Sequence, residues 1–210
     1  MSEAGIRVLV TGFDPFGGET INPAWEAVRR LPDTLGRAQI VKLEVPTVFD
    51  QSLGVLRAAM DDIRPDLVLG VGQSGGQAGL AVERVAINVN DARIDDNAGQ
   101  HPVDTPVVAD GPAAYFATVP IREMVAAIHE AKLPAAISNS AGTFVCNHLM
   151  YGILHAIAED HPGTPGGFIH VPYVPEQAVE KPGKPSMALD GIVRGLEAAI
   201  VAAVTHIRTL

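Results

Sequence analysis

A single cysteine, Cys146, stands in the 210 residues. One thiol can form neither an intrachain disulfide nor a multi-cysteine zinc site, so both kinds of staple are excluded. Cations are also scarce: 15 Lys and Arg stand against 24 Asp and Glu, giving a net charge of -9 and a pI near 5.1. The longest basic run is the pair Arg29-Arg30. Phosphate backbones are bound by clustered Lys and Arg, so nucleic acid is not an expected partner. No apolar run approaches the ~20 residues of a membrane helix. The apolar stretch Ile6–Val10 is strand-length and runs straight into Gly12 and Asp14, unlike a signal peptide. These absences lead to the expectation of a soluble, cytoplasmic protein with no membrane partner.

What the chain does contain is apolar residues, at 47%, against 19% charged. That balance builds a core and argues against disorder. No repeat, low-complexity tract or linker divides the sequence, so residues 1–210 read as one domain. Short β-branched runs alternate with longer amphipathic ones, the pattern of βαβ units in an α/β fold with a mostly parallel sheet. Strands are expected at Ile6–Val10, Ala38–Val45, Leu67–Val71, Val85–Val89, Ala135–Ser138 and Gly167–Val171. Helices are expected at Pro23–Arg30, Phe49–Ile63, Ile121–Ala131, Cys146–Ala158 and Met187–Ile207. Three connections, Asp91–Val119, Asp160–Gly166 and Tyr173–Ser186, are too long for simple turns. Irregular segments of such length are usually functional or interfacial.

A lone cysteine in such a chain is ordinarily a small buried hydrophobe. The setting of Cys146 points elsewhere. It follows a strand and the small-residue turn Ser138-Asn-Ser-Ala-Gly-Thr-Phe-Val, and it opens an amphipathic stretch. A thiol at a helix N-terminus meets the positive end of the helix dipole, which favours thiolate. The unpaired N–H groups there can also hold an oxyanion. Among the seven histidines, His148 is two residues on along the same helix and projects away from the thiol, and His155 is also out of phase. His129 and His206 sit in or beside helical runs, and His101 and His161 lie in Pro- and Gly-rich loops. All of these read as solvated or packed residues. His170 differs, because it ends the strand-like run Gly167-Phe-Ile-His. That run lies one βαβ step after the strand preceding Cys146, and successive parallel strands end on the same sheet edge, so contact between Cys146 and His170 is expected there.

Several ordered blocks resemble the pyroglutamyl peptidase I (pyrrolidone carboxyl peptidase) family of cysteine peptidases. They are Thr11-Gly-Phe-Asp-Pro-Phe-Gly-Gly18 with Asn22-Pro23, Gly70-Val-Gly-Gln73, Glu83-Arg-Val-Ala-Ile-Asn88, Asp91-Ala-Arg-Ile94, Ala141-Gly-Thr-Phe-Val-Cys-Asn-His148 and Gly167-Phe-Ile-His-Val-Pro172. The resemblance implies a three-layer α/β/α domain with a twisted, mostly parallel sheet, like the phosphorylase/hydrolase-like fold. It implies an omega-peptidase that removes an N-terminal pyroglutamyl residue from peptides, with no cofactor and no metal. It further implies Cys146 as nucleophile, His170 as general base and acid, and Glu83 as the carboxylate orienting the imidazole. Taken alone, Glu83 would read as a surface salt-bridge residue.

The family places the substrate ring against residues matching Phe13 and Phe16, with Phe144 and Val145 nearby. A pyroglutamyl ring is flat and uncharged, so it calls for apolar walls and N–H and C=O partners, which Asn22 and Gln73 can supply. Arg93 matches a family residue near the oxyanion, and a loop salt bridge to Asp95 or Asp96 is its competing role. The family forms homotetramers, which implies a homo-oligomer with the 95–119 and 176–186 segments as interface. Two other readings stay open on the residues alone. One is a phosphorylase-like enzyme cradling phosphate on Gly12–Gly18 and Gly70–Gly76; the other is a binding module without chemistry.

Overall fold

The first strand, β1 (Ile6–Phe13), runs three residues beyond the apolar stretch that nucleates it. Its extension passes through Gly12, where a Cβ would lie 2.8 Å from the Trp25 Cα of the helix packed above. That helix, α1 (Pro23–Val28), starts where the Asn22 side chain accepts the Ala24 N–H and Pro23 occupies the first turn. The computed structural model describes residues 5–207.

The remaining elements follow in order: β2 (Thr34–Leu35), β3 (Ala38–Val45), α2 (Gln51–Ile63), β4 (Leu67–Gln73), β5 (Leu80–Glu83), β6 (Val85–Ile87), β7 (Ala114–Phe116), α3 (Ile121–Glu130), β8 (Ala135–Ser138), α4 (Val145–Glu159), β9 (Gly166–Val171), α5 (Pro175–Ala178) and α6 (Leu189–Ile207). Seven strands form one sheet in the order β2-β3-β1-β4-β9-β5-β8. The pairs β3–β1, β1–β4, β4–β9 and β5–β8 are parallel, whereas β2–β3 and β5–β9 are antiparallel.

Alternation along the strands separates two cores. Val8, Val10, Leu67, Leu69, Val82, Ile169 and Val171 face a layer formed by α1, α3 and α6. Leu9, Val68 and Phe168 face α2 and α4. The helices therefore cover both faces of a mostly parallel sheet, as expected. On α6, Ile192, Leu196 and Ile200 are buried at helical spacing, each worth ~1.5–3 kcal/mol of burial.

Two expectations need correction. The strand expected at Val85–Val89 is not in the main sheet. Val85–Ile87 pairs instead with β7 in a separate hairpin, and the sheet strand is Leu80–Glu83 just before it. Four residues after a glycine-rich turn carry too little pattern to mark a strand, whereas the β-branched run that follows carries more. The second correction concerns direction. Because β5 is parallel to β8 but antiparallel to β9, the strand before Cys146 runs opposite to the one bearing His170. The two residues do not follow neighbouring strand ends in one βαβ step.

Candidate active site

Cys146 and His170 meet across a face of the sheet. In the β4–β9 ladder His170 is paired with Gly72, and Phe168 of β9 is paired with Gly70. Both β9 side chains point toward the α4 layer, and their rings stack edge-on with centroids 5.0 Å apart. A Cβ on Gly72 would lie 2.8 Å from the Cys146 Sγ and 2.8 Å from the Phe168 ring. The sulfur thus takes the space that a side chain at position 72 would fill, about one strand spacing, ~4.8 Å, from the His170 position. Only glycine leaves that space open.

The chain returns to this point through the turn after β8. There Gly142 adopts a left-handed φ of 77°, and Thr143 is clamped to Asp91. Its hydroxyl donates to the Asp91 carbonyl at 2.8 Å, and its carbonyl accepts the Asp91 N–H at 2.9 Å. Cys146 is then the second residue of α4. The first turn of this helix has no side-chain cap, since the N-cap position is Phe144. Its leading N–H groups are left for an incoming acceptor.

Glu83 reaches His170 from the other side. Ala81 sits directly opposite His170 in the antiparallel β5–β9 pair, so Glu83, two residues on, is the diagonal neighbour on the same face. The small Ala81 side chain leaves the path clear, and Glu83 Oε1 lies 2.7 Å from His170 Nδ1. Glu83 is fully buried, and its Oε2 has no partner among the described residues. With Nδ1 committed to the carboxylate, Nε2 is the ring nitrogen left for the thiol. Burial pulls the His170 pKa down. The negative charge and hydrogen bond of Cys146, followed by the hydrogen bond and charge of Glu83, outweigh it and raise the pKa to about 10. The His170 imidazole therefore holds its proton at neutral pH, between the Glu83 carboxylate and the Cys146 sulfur.

His148 has a different task, consistent with its reading as a packed residue. Fully buried on α4, it accepts the Asp50 N–H on Nε2 at 3.0 Å. Its Nδ1 lies 2.9 Å from Asn90 Oδ1. The tautomer is therefore protonated on Nδ1. The bond pins Asp50, which heads α2 with a left-handed φ of 60°. Burial pulls the His148 pKa down to about 4, although nearby Asp50 opposes the shift. A folded-state pKa below the unfolded value of 6.5 means that protons bind the unfolded chain better. Stability is then full above pH 6.5 and declines as pH falls toward about 4, by roughly 3 kcal/mol at most. Melting curves of wild type and His148→Gln should show the wild type ahead at neutral pH and the gap closing in acid. A gap independent of pH would assign the acid sensitivity to another group.

A cavity of about 630 Å³ opens over the thiol, lined by Cys146, His170, Phe16, Gln73, Arg93 and Phe144 among others. A larger groove, about 780 Å³, lies between α3 and α6, remote from Cys146, and is lined by neither Cys146 nor His170. Phe16 and Phe144 form one wall, with ring centroids 6.1 Å apart, and Phe49 backs Phe144 edge-on at 5.4 Å. Three expected pocket residues do not line the cavity. Phe13 is buried against Phe168 at 6.5 Å, and Val145 is buried in the core beneath α4. Asn22 is buried as the α1 cap, its oxygen on the Ala24 N–H and its nitrogen on the Asp14 carbonyl, so neither end is free for a ligand.

Arg93 is exposed on the cavity rim and not engaged in the loop ion pair considered for it. Asp95 pairs with His101 at 2.8 Å, and Asp96 accepts the N–H groups of Phe49, Ala98 and Gln100. Residues that the sequence did not flag also reach the rim, notably Glu19, Tyr173 and Lys181. Gly75 is their one legible trace, since a Cβ there would collide with the Tyr173 ring.

The fold has known counterparts. The sequence model of the pyroglutamyl peptidase family matches residues 6–206. The chain belongs to the pyroglutamyl peptidase family. With that membership it is a hydrolase of the thiol-dependent omega-peptidase class. It is 57% identical over 199 residues to a pyrrolidone-carboxylate peptidase of Streptococcus pyogenes, covering 95% of this chain and 93% of the relative. It is 54% identical over 201 residues to the pyrrolidone-carboxylate peptidase of Clostridium botulinum, covering 96% and 94%. The crystal structure of pyroglutamyl peptidase I from Bacillus amyloliquefaciens superposes with a TM-score of 0.94 at 51% identity, covering 97% of each chain.

Proposed function

We propose that Cys146, His170 and Glu83 act as nucleophile, acid–base and orienting carboxylate in hydrolysing the bond after an N-terminal pyroglutamyl residue. The observation that carries this reading is the shared imidazole: Glu83 holds His170 Nδ1 at 2.7 Å while the opposite side of the ring faces the Cys146 thiol. The thiolate adds to the carbonyl carbon of the pyroglutamyl residue. The oxyanion that forms is met by the leading N–H groups of α4 and by Arg93 on the rim. His170 delivers its proton to the departing amine, the C–N bond breaks, and a thioester on Cys146 remains. Water then attacks with His170 taking its proton, and free pyroglutamate leaves with the thiol restored.

The walls formed by Phe16 and Phe144 suit the flat ring, with Phe49 backing Phe144, and Gln73 supplies a polar partner. Asn22 serves here as the cap that fixes the loop carrying Phe16. A chromogenic pyroglutamyl amide should be cleaved, and the open-chain glutamyl amide, whose ammonium meets apolar walls, should not. Equal cleavage of both would overturn the ring-recognition reading.

The whole chain reads as one catalytic unit, acting in the cytoplasm on soluble peptides and needing no cofactor. A homotetramer accords with Val103 and Phe116 being 64% and 67% exposed in the 95–119 segment and Val179 being 81% exposed in the 176–186 segment.

A further inference from the structure

We propose that Asn147 is a positioning residue for the oxyanion site, fixing the first turn of α4 from its side so that the leading N–H groups stay free; this rests on the pyroglutamyl-peptidase reading of the site. Asn147 directly follows the nucleophile and is fully buried. Its Oδ1 accepts the Ile87 N–H at 3.0 Å. Its Nδ2 donates to the Ile87 carbonyl at 2.9 Å and to the Val89 carbonyl at 3.0 Å. These partners fix the polarity of the amide, since an N–H only donates and a carbonyl only accepts. The β6–β7 hairpin explains why Ile87 is open to it. There the Asn88 N–H bonds to the Ala113 carbonyl and the Ala117 N–H to the Arg84 carbonyl. Alternate residues of an antiparallel pair face the partner strand, so Ile87 turns its own N–H and carbonyl to the opposite edge. The Asn147 amide bonds to both, as a neighbouring strand would.

Two flanking residues extend the same docking. His148 Nδ1 lies 2.9 Å from Asn90 Oδ1, and Thr143 clamps Asp91 through its hydroxyl and its carbonyl. The turn that carries Cys146 is thus bonded to residues 87, 89, 90 and 91, with Arg93 following directly after them in the chain. A helix start is ordinarily fixed by an N-cap side chain that accepts one of its leading N–H groups. Such a cap on α4 would occupy a donor that the developing oxyanion needs. Phe144, at the N-cap, makes no bond of that kind. Asn147 holds the turn by its flank instead, so the turn is fixed and its donors remain available. The thiol and its base do not depend on this hold. The sulfur lies over Gly72 on the sheet, and His170 is held by Glu83.

The decisive variant is Asn147→Ala. Water can enter the vacated space and meet the three backbone groups, so the fold is kept, but nothing then ties them to the helix. For a chromogenic pyroglutamyl amide, kcat per alkylatable thiol should fall roughly 10²-fold, the scale of one misplaced oxyanion donor. KM should stay within about threefold, because the alignment of these donors matters in the transition state and not in the ground state. The rate of Cys146 alkylation by iodoacetamide should also stay within about threefold, since that reaction depends on the thiolate and forms no oxyanion. A role in stability alone would lower the melting temperature and leave kcat per thiol at the wild-type value, which would overturn the proposal. Parallel losses of kcat and alkylation would overturn it too, by moving the defect to the thiol. Should Asn147→Ala fail to fold, Thr143→Val removes only the hydroxyl bond to Asp91 from the same docking. It should lower kcat several-fold with alkylation unchanged, and a wild-type kcat there would equally reject the proposal. Failure of the wild-type protein to cleave the pyroglutamyl amide would instead overturn the functional reading beneath it.

Discussion

Replacing Cys146 by alanine is expected to reduce hydrolysis of a pyroglutamyl amide to background while leaving the fold intact. Alanine suits the first turn of α4, and the space above Gly72 merely loses its sulfur. His170→Ala should fall equally far, because residues that act as a unit are lost together. Iodoacetamide should inactivate the wild type by consuming the same thiol. The variant also has a signature that a packing role would not produce. Without the sulfur, burial, the largest single influence on His170, is opposed by Glu83 alone. The His170 pKa should therefore fall well below its wild-type value of about 10, which an NMR titration of the imidazole would detect. Persistent turnover in Cys146→Ala would end the cysteine-peptidase mechanism.

Glu83→Gln should lower kcat/KM by roughly 10- to 10⁴-fold without abolishing it. Glutamine keeps the length and can accept the Nδ1–H, but its NH2 must then occupy the Oε2 position, where no partner stands among the described residues. Turned the other way, it donates to Nδ1 and imposes the wrong tautomer. In either pose the charge that stabilises the imidazolium is gone. The alkaline limb of the pH–rate profile should move to lower pH, since Glu83 is one of the groups holding the His170 pKa up. A thiolate needs less help than a serine hydroxyl, which is why some activity should survive. Wild-type turnover with an unchanged profile would return Glu83 to the role of an ordinary buried carboxylate.

How much of this was legible in advance differs from residue to residue. Cys146 announced itself by its place after a small-residue turn and before an amphipathic stretch, and α4 does begin one residue ahead of it. The expected helices at 23–30, 49–63, 121–131, 146–158 and 187–207 all correspond to helices, with shifts of only a few residues at their ends. His170 was singled out by a sheet-edge argument whose premise fails, because β8 and β9 run in opposite directions. The histidine nonetheless faces the thiol, through its ladder pairing with Gly72. Glu83 had no local signal at all. Its importance comes from an antiparallel register that places it diagonally across from His170, and only the family resemblance singled it out. Phe13 and Phe16 looked equivalent in one glycine-rich block, yet Phe13 ends β1 inside the core and Phe16 stands on the loop beyond it.

By itself, then, the sequence determined the α/β class, the helices with their buried faces, the thiol at a helix start and the motif blocks that mark the family. Each of these is written in contiguous residues, where periodicity and capping act over a few positions. Tertiary structure alone decided that β5 enters the sheet antiparallel, that Gly72 yields its side-chain space to the Cys146 sulfur, and that Asn147 reaches the Ile87 backbone from 60 residues away. The physical reason is that strand register and direction are settled by packing between segments distant in the chain. A one-residue slip would leave every local pattern intact while turning His170 away from the α4 layer and its thiol.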